Sequence, residues 1–348
     1  MKIRFISDIH YYLNLETEPT EFESIMSKME PADVTLIAGD LNCDTVEAMS
    51  FLQRYFPNEQ VVFTGGNHTL AVYKPGNTIP IQDVIANHKA TFNAKRFGGL
   101  WHFLENDYIQ LSEKVFCIGC CGWTNFEYGH QTKSQYVREI EREKRYREKH
   151  QTVDTGEIFG KGTDFDHGVQ PVHFCGPELP DDPAAYYDEI KMGDKEGYRG
   201  RRMRDAIRHM NDYNYGKIRR SDGSIDILRP LDTYNMHQES LKYIEKAYKE
   251  IVEKCPDATI ILMTHHPFST KCVSGRFKDD PLTSAFVSPH DRWLKKFDQI
   301  KYIHCGHVHQ RFFTKLGDKQ LICNSLGYLY YYEHKQAKPF NINYIVEV

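Results

Sequence analysis

The sequence predicts an α/β protein, and three observations predict it. Short apolar runs rich in β-branched and aromatic residues recur along the chain, and several stop at Gly, Asp, Asn or His. Stretches of helical character separate them, the βαβ pattern of a largely parallel sheet. One long interruption lacks apolar periodicity, after which the same alternation resumes. A chain of 348 residues is long for one domain and suits an α/β domain carrying an insertion.

In order, residues 2–7 (KIRFIS) form a first strand that runs into Asp8-Ile9-His10, and 19–29 returns as a helix. Residues 33–38 (DVTLIA) form a second strand ending in Gly39-Asp40, followed by a helix over 46–56. Residues 60–64 (QVVFT) form a third, ending in Gly65-Gly66-Asn67-His68. One or two strands lie within 101–111, and 114–119 (KVFCIG) is another. Residues 125–234, rich in Tyr, Gly and charge, are the expected insertion or cap, leaving 1–124 and 235–348 as the core. Within the insertion, 136–149 is a charged helix candidate and 201–220 is basic with Tyr213 and Tyr215 interleaved. Regularity resumes with a helix over 238–254, where Leu241, Ile244, Tyr248, Ile251 and Val252 share one face. A strand over 258–263 (ATIILM) ends in Thr264-His265-His266-Pro267. Ser288-Pro289 fits an N-cap followed by proline at the first helical position. Residues 301–305 then form a strand that ends in Gly306-His307-Val308-His309, and 320–323 and 341–348 are the last strands.

A formal net charge of -4 excludes a global basic field of the kind that drives binding to nucleic acid or acidic membranes. No apolar run approaches membrane-spanning length, and the run before Asp8 is too short for a signal segment. Nine cysteines, several inside apolar runs, suggest free buried thiols and a cytoplasmic, reducing compartment. Cys117, Cys120 and Cys121 resemble half a zinc motif, but no second pair follows, so they are expected to be buried strand thiols.

The chemistry-bearing residues share one rule of position: each follows the C-terminal end of an apolar strand. Asp8, His10, Asp40, Asn67, His68, His265, His307 and His309 would therefore meet at one edge, where open α/β sheets bind ligands. Imidazole with carboxylate and no thiolate suits Mn²⁺, Fe²⁺ or Zn²⁺. The donors are too many for one metal and about enough for two, which roughly 3.5–4 Å apart would hold the attacking and leaving oxygens of an in-line displacement and acidify a bridging water.

The blocks Asp8-x-His10, Gly39-Asp40, Gly66-Asn67-His68, His265-x-Pro267 and Gly306-His307-x-His309 resemble the calcineurin-like metallophosphoesterase superfamily, in family order and across almost the whole chain. The resemblance implies a four-layer αββα sandwich of two mixed sheets flanked by helices, with the insertion as a cap. It implies one metal on Asp8, His10 and His309, a second on Asn67, His265 and His307, and Asp40 bridging both. His68 would stand outside the metals and protonate the leaving oxygen or stabilise the phosphoryl group. Mn²⁺ is the expected metal. The implied activity is phosphoester hydrolysis by in-line attack of a metal-bridging hydroxide, as a phosphodiesterase. Alternatives are a nuclease acting on DNA or RNA, a phosphomonoesterase, and a non-catalytic scaffold of the same fold. Two departures bear on His68: many members carry acidic residues where this sequence has Cys43 and Thr69. Asn324 loosely resembles part of a late family segment and carries no catalytic role. His266 and His304 are expected to be structural. The 201–220 stretch is read as surface, or as a region that steers an anionic phosphoester substrate or nucleic acid.

Overall fold

The protein is described by a computed structural model over residues 1–73, 76–94, 98–129, 195–333 and 338–348, with positions 137, 141 and 144. The charged stretch 136–149 lies outside the described residues apart from those three positions.

Two sheets form the body. In the first, β1 (Lys2–Ile6), β2 (Val34–Ile37), β3 (Gln60–Thr64) and β4 (Trp101–Leu104) run parallel, and β13 (Ile345–Glu347) pairs antiparallel with β1. In the second, β6 (Val115–Cys120), β9 (Thr259–Thr264), β10 (Ile300–Cys305) and β12 (Lys319–Cys323) run parallel. Its antiparallel edges are β5 (Asp107–Gln110) and β11 (Phe312–Leu316). A separate hairpin joins β7 (Lys217–Arg219) to β8 (Ile225–Ile227).

The period-2 alternation of strand side chains sorts the apolar residues into layers. Phe5, Leu36, Val62, Cys117, Ile261, Met263 and Ile322 point between the sheets and form the central core. Their neighbours Ile6, Ile37, Val61 and Phe63 face outward against α1 (Tyr11–Thr17), α2 (Pro19–Met26), α3 (Thr45–Tyr55), α4 (Asn67–Ala71) and α5 (Ile81–Phe92). On the far side, Ile118, Ile260, Leu262 and Ile303 meet Ile244, Ala247 and Ile251 of the helix Pro230–Lys254. The result is the expected order of helix, sheet, sheet and helix.

The sheets are sewn together at their carboxyl ends. Ser7 forms a parallel bridge with Ser325, and its N–H donates to Asn324 O at 3.1 Å. His304, as expected, is a buried structural residue, with its ring nitrogens on Ile6 O and Ile322 O. Asn324 donates from Nδ2 to Phe5 O and Asn341 O, which is also structural.

Part of 125–234 is described. The helix Lys195–His209, the turn Asp212–Tyr215 and the hairpin bury Tyr198, Ala206, Met210, Tyr213, Ile218 and Leu228, and all but Tyr198 join the same cluster as the first helical layer. Several arginines here are engaged: Arg219 with Asp83, Arg220 with Asp226 and Asp232, Arg202 with Asp205.

Two local expectations are corrected. The long helix begins at Pro230 instead of 238, where Asp232 returns its carboxylate to Arg229 N at 2.8 Å and closes the first turn. Ser288 caps no helix; its hydroxyl accepts from Asn125 N, and the helical turn that follows is Asp291–Leu294 with His290 at its N-cap. None of the eight described cysteines is in a disulfide, and Cys117, Cys120 and Cys121 are buried. Among the described residues no helix is long and apolar enough to cross a membrane.

Candidate metal centre

Every predicted donor follows the carboxyl end of a parallel strand, and the two sheets bring those ends face to face. Short backbone bonds tie the loops into one floor: Asp8 N–H to Gly39 O, His10 N–H to Asp40 O, Gly306 N–H to His265 O and Gly327 N–H to Asp8 O. The chain turns sharply at most of the donors. Asp8, His10, Asp40, His307 and His309 all have φ between 43 and 68°, the left-handed region. Gly39, at φ 83°, permits closest approach, because a Cβ there would run into the His265 ring.

Three groups of donors converge: Asp8, His10 and His309; His10, Asp40 and His68; and Asp8, Asp40 and His265. Within each, one atom per residue lies within 4.8 Å of the others. His10 Nε2 is 3.1 Å from His309 Nε2, and His309 Nε2 is 3.5 Å from Asp8 Oδ1. His265 Nε2 is 2.9 Å from Asn67 Oδ1 and 3.3 Å from Asp40 Oδ2. His307 stands apart from the three groups; its ring lies 5.0 Å from that of His265, and its N–H donates to Asp8 Oδ1 at 2.9 Å. His266 packs behind it, ring on ring at 4.1 Å.

The donors fit divalent cations on a physical test. Asp8 Oδ2, Asp40 Oδ2 and His307 Nε2 are buried with no hydrogen-bond partner among the described residues. A buried carboxylate oxygen without compensation costs on the order of several kcal/mol. Two such oxygens, one of them with only the His265 ring at 3.3 Å, and beside them the His307 ring nitrogen, are explained by positive charge seated between the strands.

The protonation states follow from the same crowding. Burial opposes ionisation of Asp8, yet the nearby rings of His309 and His265 hold its carboxyl well below the usual range. Burial likewise opposes ionisation of Asp40, and His265 and His68 outweigh it. Burial favours neutral His265, but Asp40 overrides it and raises the ring to about 9. Burial lowers His10 and His307, and takes His68 down to about 4.

His68 N–H donates to Asp40 Oδ1 at 3.1 Å, and its Nε2 lies 3.1 Å from Tyr328 Oη. Of the two departing positions, Thr69 Oγ1 donates to Asn42 O, and the acidic neighbour of Cys43, Asp44, is used to cap α3 by accepting from Val46 N and Glu47 N. Residues that sequence reasoning missed complete the surroundings. Tyr73 lies 4.0 Å from the His68 ring, and its hydroxyl accepts from Asn67 Nδ2 at 2.8 Å. The buried carboxyl of Asp212 faces Tyr73 and Asn67, and burial raises it to about 6. Phe286 stacks on His307 at 4.5 Å. Glu333 accepts from His309 Nδ1 at 2.7 Å. None of these directly follows a strand or sits in a spaced motif, so the sequence carried no cue to them.

Two mixed sheets with a carboxylate–imidazole cluster across their carboxyl ends define a metal-dependent phosphoester hydrolase, given the family to which the sequence matches. Residues 1–188 match the calcineurin-like phosphoesterase family model, so the chain belongs to that family. That match takes in Asp8, His10, Asp40, Asn67 and His68; His265, His307 and His309 lie beyond it, and the fold brings His265 and His309 into the cluster with His307 beside it. Members of the family typically use a dinuclear metal site. Among solved structures, a phosphopantetheinyl hydrolase from Mycobacterium tuberculosis is similar at TM-score 0.53 and 13% identity, over 100% of this chain and 95% of its own. TT1561 of Thermus thermophilus aligns at TM-score 0.42 and 9% identity, over 94% of this chain and 90% of its own. A putative 5'-nucleotidase from Staphylococcus aureus aligns at TM-score 0.37 and 12% identity, over 94% of this chain and 49% of that one. At these identities the likeness to the first concerns the fold. Comparison with curated proteins returned no match.

Proposed function

We propose that the protein is a Mn²⁺-dependent phosphodiesterase, with Asp8, His10 and His309 holding one cation, Asn67, His265 and His307 a second, and Asp40 shared. The observation that carries this reading is the set of orphaned buried atoms, Asp8 Oδ2, Asp40 Oδ2 and His307 Nε2, in and beside one donor cluster. Bound there, divalent cations would supply Lewis acidity toward water and phosphoryl oxygens. Asp8 and Asp40, held ionised by the imidazoles around them, provide the negative charge that retains the cations. His68 is neutral at pH 7, so its role is to present an N–H to the phosphoryl or leaving oxygen instead of carrying a full positive charge. Its backbone bond to Asp40 and its side-chain contact with Tyr328 fix the ring between them.

Diester preference is supported by the walls. Tyr73, Tyr328 and Phe286 lie against the site histidines, and Tyr215 lies 6.4 Å from Tyr73. These rings offer apolar surface to a second ester arm. The two terminal guanidinium nitrogens of Arg311 are used by Glu333 O and Leu326 O.

The test is turnover with Mn²⁺ of bis-p-nitrophenyl phosphate against p-nitrophenyl phosphate, cyclic nucleotides and single- and double-stranded nucleic acids. The diester should be preferred, Asp40→Asn should abolish the Mn²⁺-dependent rate, and His68→Ala should slow it with metal content unchanged. Full turnover in Asp40→Asn would sink the reading; faster monoester cleavage would overturn the diester preference alone.

A further inference from the structure

We propose that Glu333 is a positioning residue for the metal centre, fixing the tautomer and angle of His309 from outside the donor cluster. This rests on the two-cation reading of the site. His309 Nδ1 lies 2.7 Å from Glu333 Oε2, so the Nδ1 proton is committed to the carboxylate. The Nε2 lone pair is then left for the cluster, where it lies 3.1 Å from His10 Nε2 and 3.5 Å from Asp8 Oδ1. A carboxylate on the far nitrogen of a ligating imidazole both orients the ring and raises its basicity.

The contact is built, unlike an incidental surface ion pair. The Glu333 carboxylate also accepts from Tyr328 N at 2.7 Å, so the turn it closes holds it in place. Arg311 Nη1 donates to Glu333 O and Nη2 to Leu326 O, pinning both ends of that turn. Gly327, at φ 71°, lies so close that a Cβ there would strike the Glu333 side chain. Asn14 ties the same turn to the first donors, donating from Nδ2 to Gly327 O and accepting from Leu329 N. Tyr328 itself packs its ring on His10 at 4.5 Å and on His309 at 4.7 Å. The turn therefore grips one donor through a carboxylate and covers two through a ring.

The experiment strips the full chain of metal and titrates it with Mn²⁺ and with Co²⁺, reading stoichiometry, affinity and the visible Co²⁺ spectrum. Wild type should take two equivalents. Glu333→Ala should keep one at wild-type affinity and weaken the other roughly 10–100-fold, with an altered Co²⁺ spectrum. Glu333→Gln, whose amide oxygen can still accept from Nδ1–H, should recover most of the loss. Two equivalents at unchanged affinity with an unchanged spectrum in Glu333→Ala would overturn the assignment. Should Glu333→Ala not fold, Glu333→Asp is read instead: a weakened equivalent supports the role, and unchanged binding overturns it. A wild-type chain that takes up no cation would refute the two-cation reading itself, which separates that failure from one confined to the variants.

Discussion

Asp8, His10, Asp40, His307 and His309 all hold a left-handed backbone, which costs roughly 1–3 kcal/mol at each non-glycine position. Asp and His tolerate this region better than bulkier residues, so residue types suited to binding cations also suit the turns that present them. Two other imidazoles of the site, His265 and His68, give a pH signature to the metal-free chain. His265 is raised from 6.5 to about 9, so the stability it contributes is full below pH 6.5 and is lost as pH rises through 9. His68 is lowered from 6.5 to about 4, so the folded state resists its protonation and stability falls as pH drops below 6.5. Thermal melts in EDTA should therefore peak near pH 6.5, and a monotonic rise from pH 6.5 to 9 would contradict the His265 assignment. Tyr328→Phe tests the contact that stands where an acidic partner of His68 is absent. Loss of one hydrogen bond should lower turnover by about 10-fold while both metal equivalents are retained.

At the scale of elements, the parallel strands were legible because both faces are buried and the apolar runs are continuous, as in β2 and β9. Edge strand β11 (FFTKL) was not, since its half-exposed pattern lacks that continuity. Helix α5 was missed because His88 occupies a buried position on its apolar face and blurs the period. The Ser288-Pro289 cue was sound locally and was overridden when Asn125 took the hydroxyl. Each strand end is as tightly specified as the strand itself. Gly39→Ala would need φ 83° from an L side chain and would place a Cβ into His265. It should cost about 1–3 kcal/mol in urea unfolding and displace the His265 ring. A neutral effect on both stability and metal uptake would show that the β2 turn can relax.

Across the whole molecule, the predicted donors other than His307, which stands beside them, came together because one positional rule, strand end followed by a donor, governs both sheets. Glu333, Tyr328, Tyr73 and Asp212 obey no such rule; they arrive from turns whose location depends on packing between distant segments. If the orphaned atoms of the centre bind cations only when folded, Mn²⁺ at 100 times its Kd should stabilise the chain by about 2.7 kcal/mol. A melting temperature indifferent to Mn²⁺ would argue against a preformed centre.

The 3.1 Å approach of His10 to His309 joins residues 299 positions apart in sequence. During synthesis, the first two donors therefore wait in a growing chain until nearly every other element has been made. Closing so long a loop costs entropy before the contact rewards it, and interactions absent from the transition state act on unfolding. Mn²⁺ should then slow unfolding in denaturant jumps and leave refolding rates unchanged, so the cation would act as a lock on the finished structure and not as a guide to it.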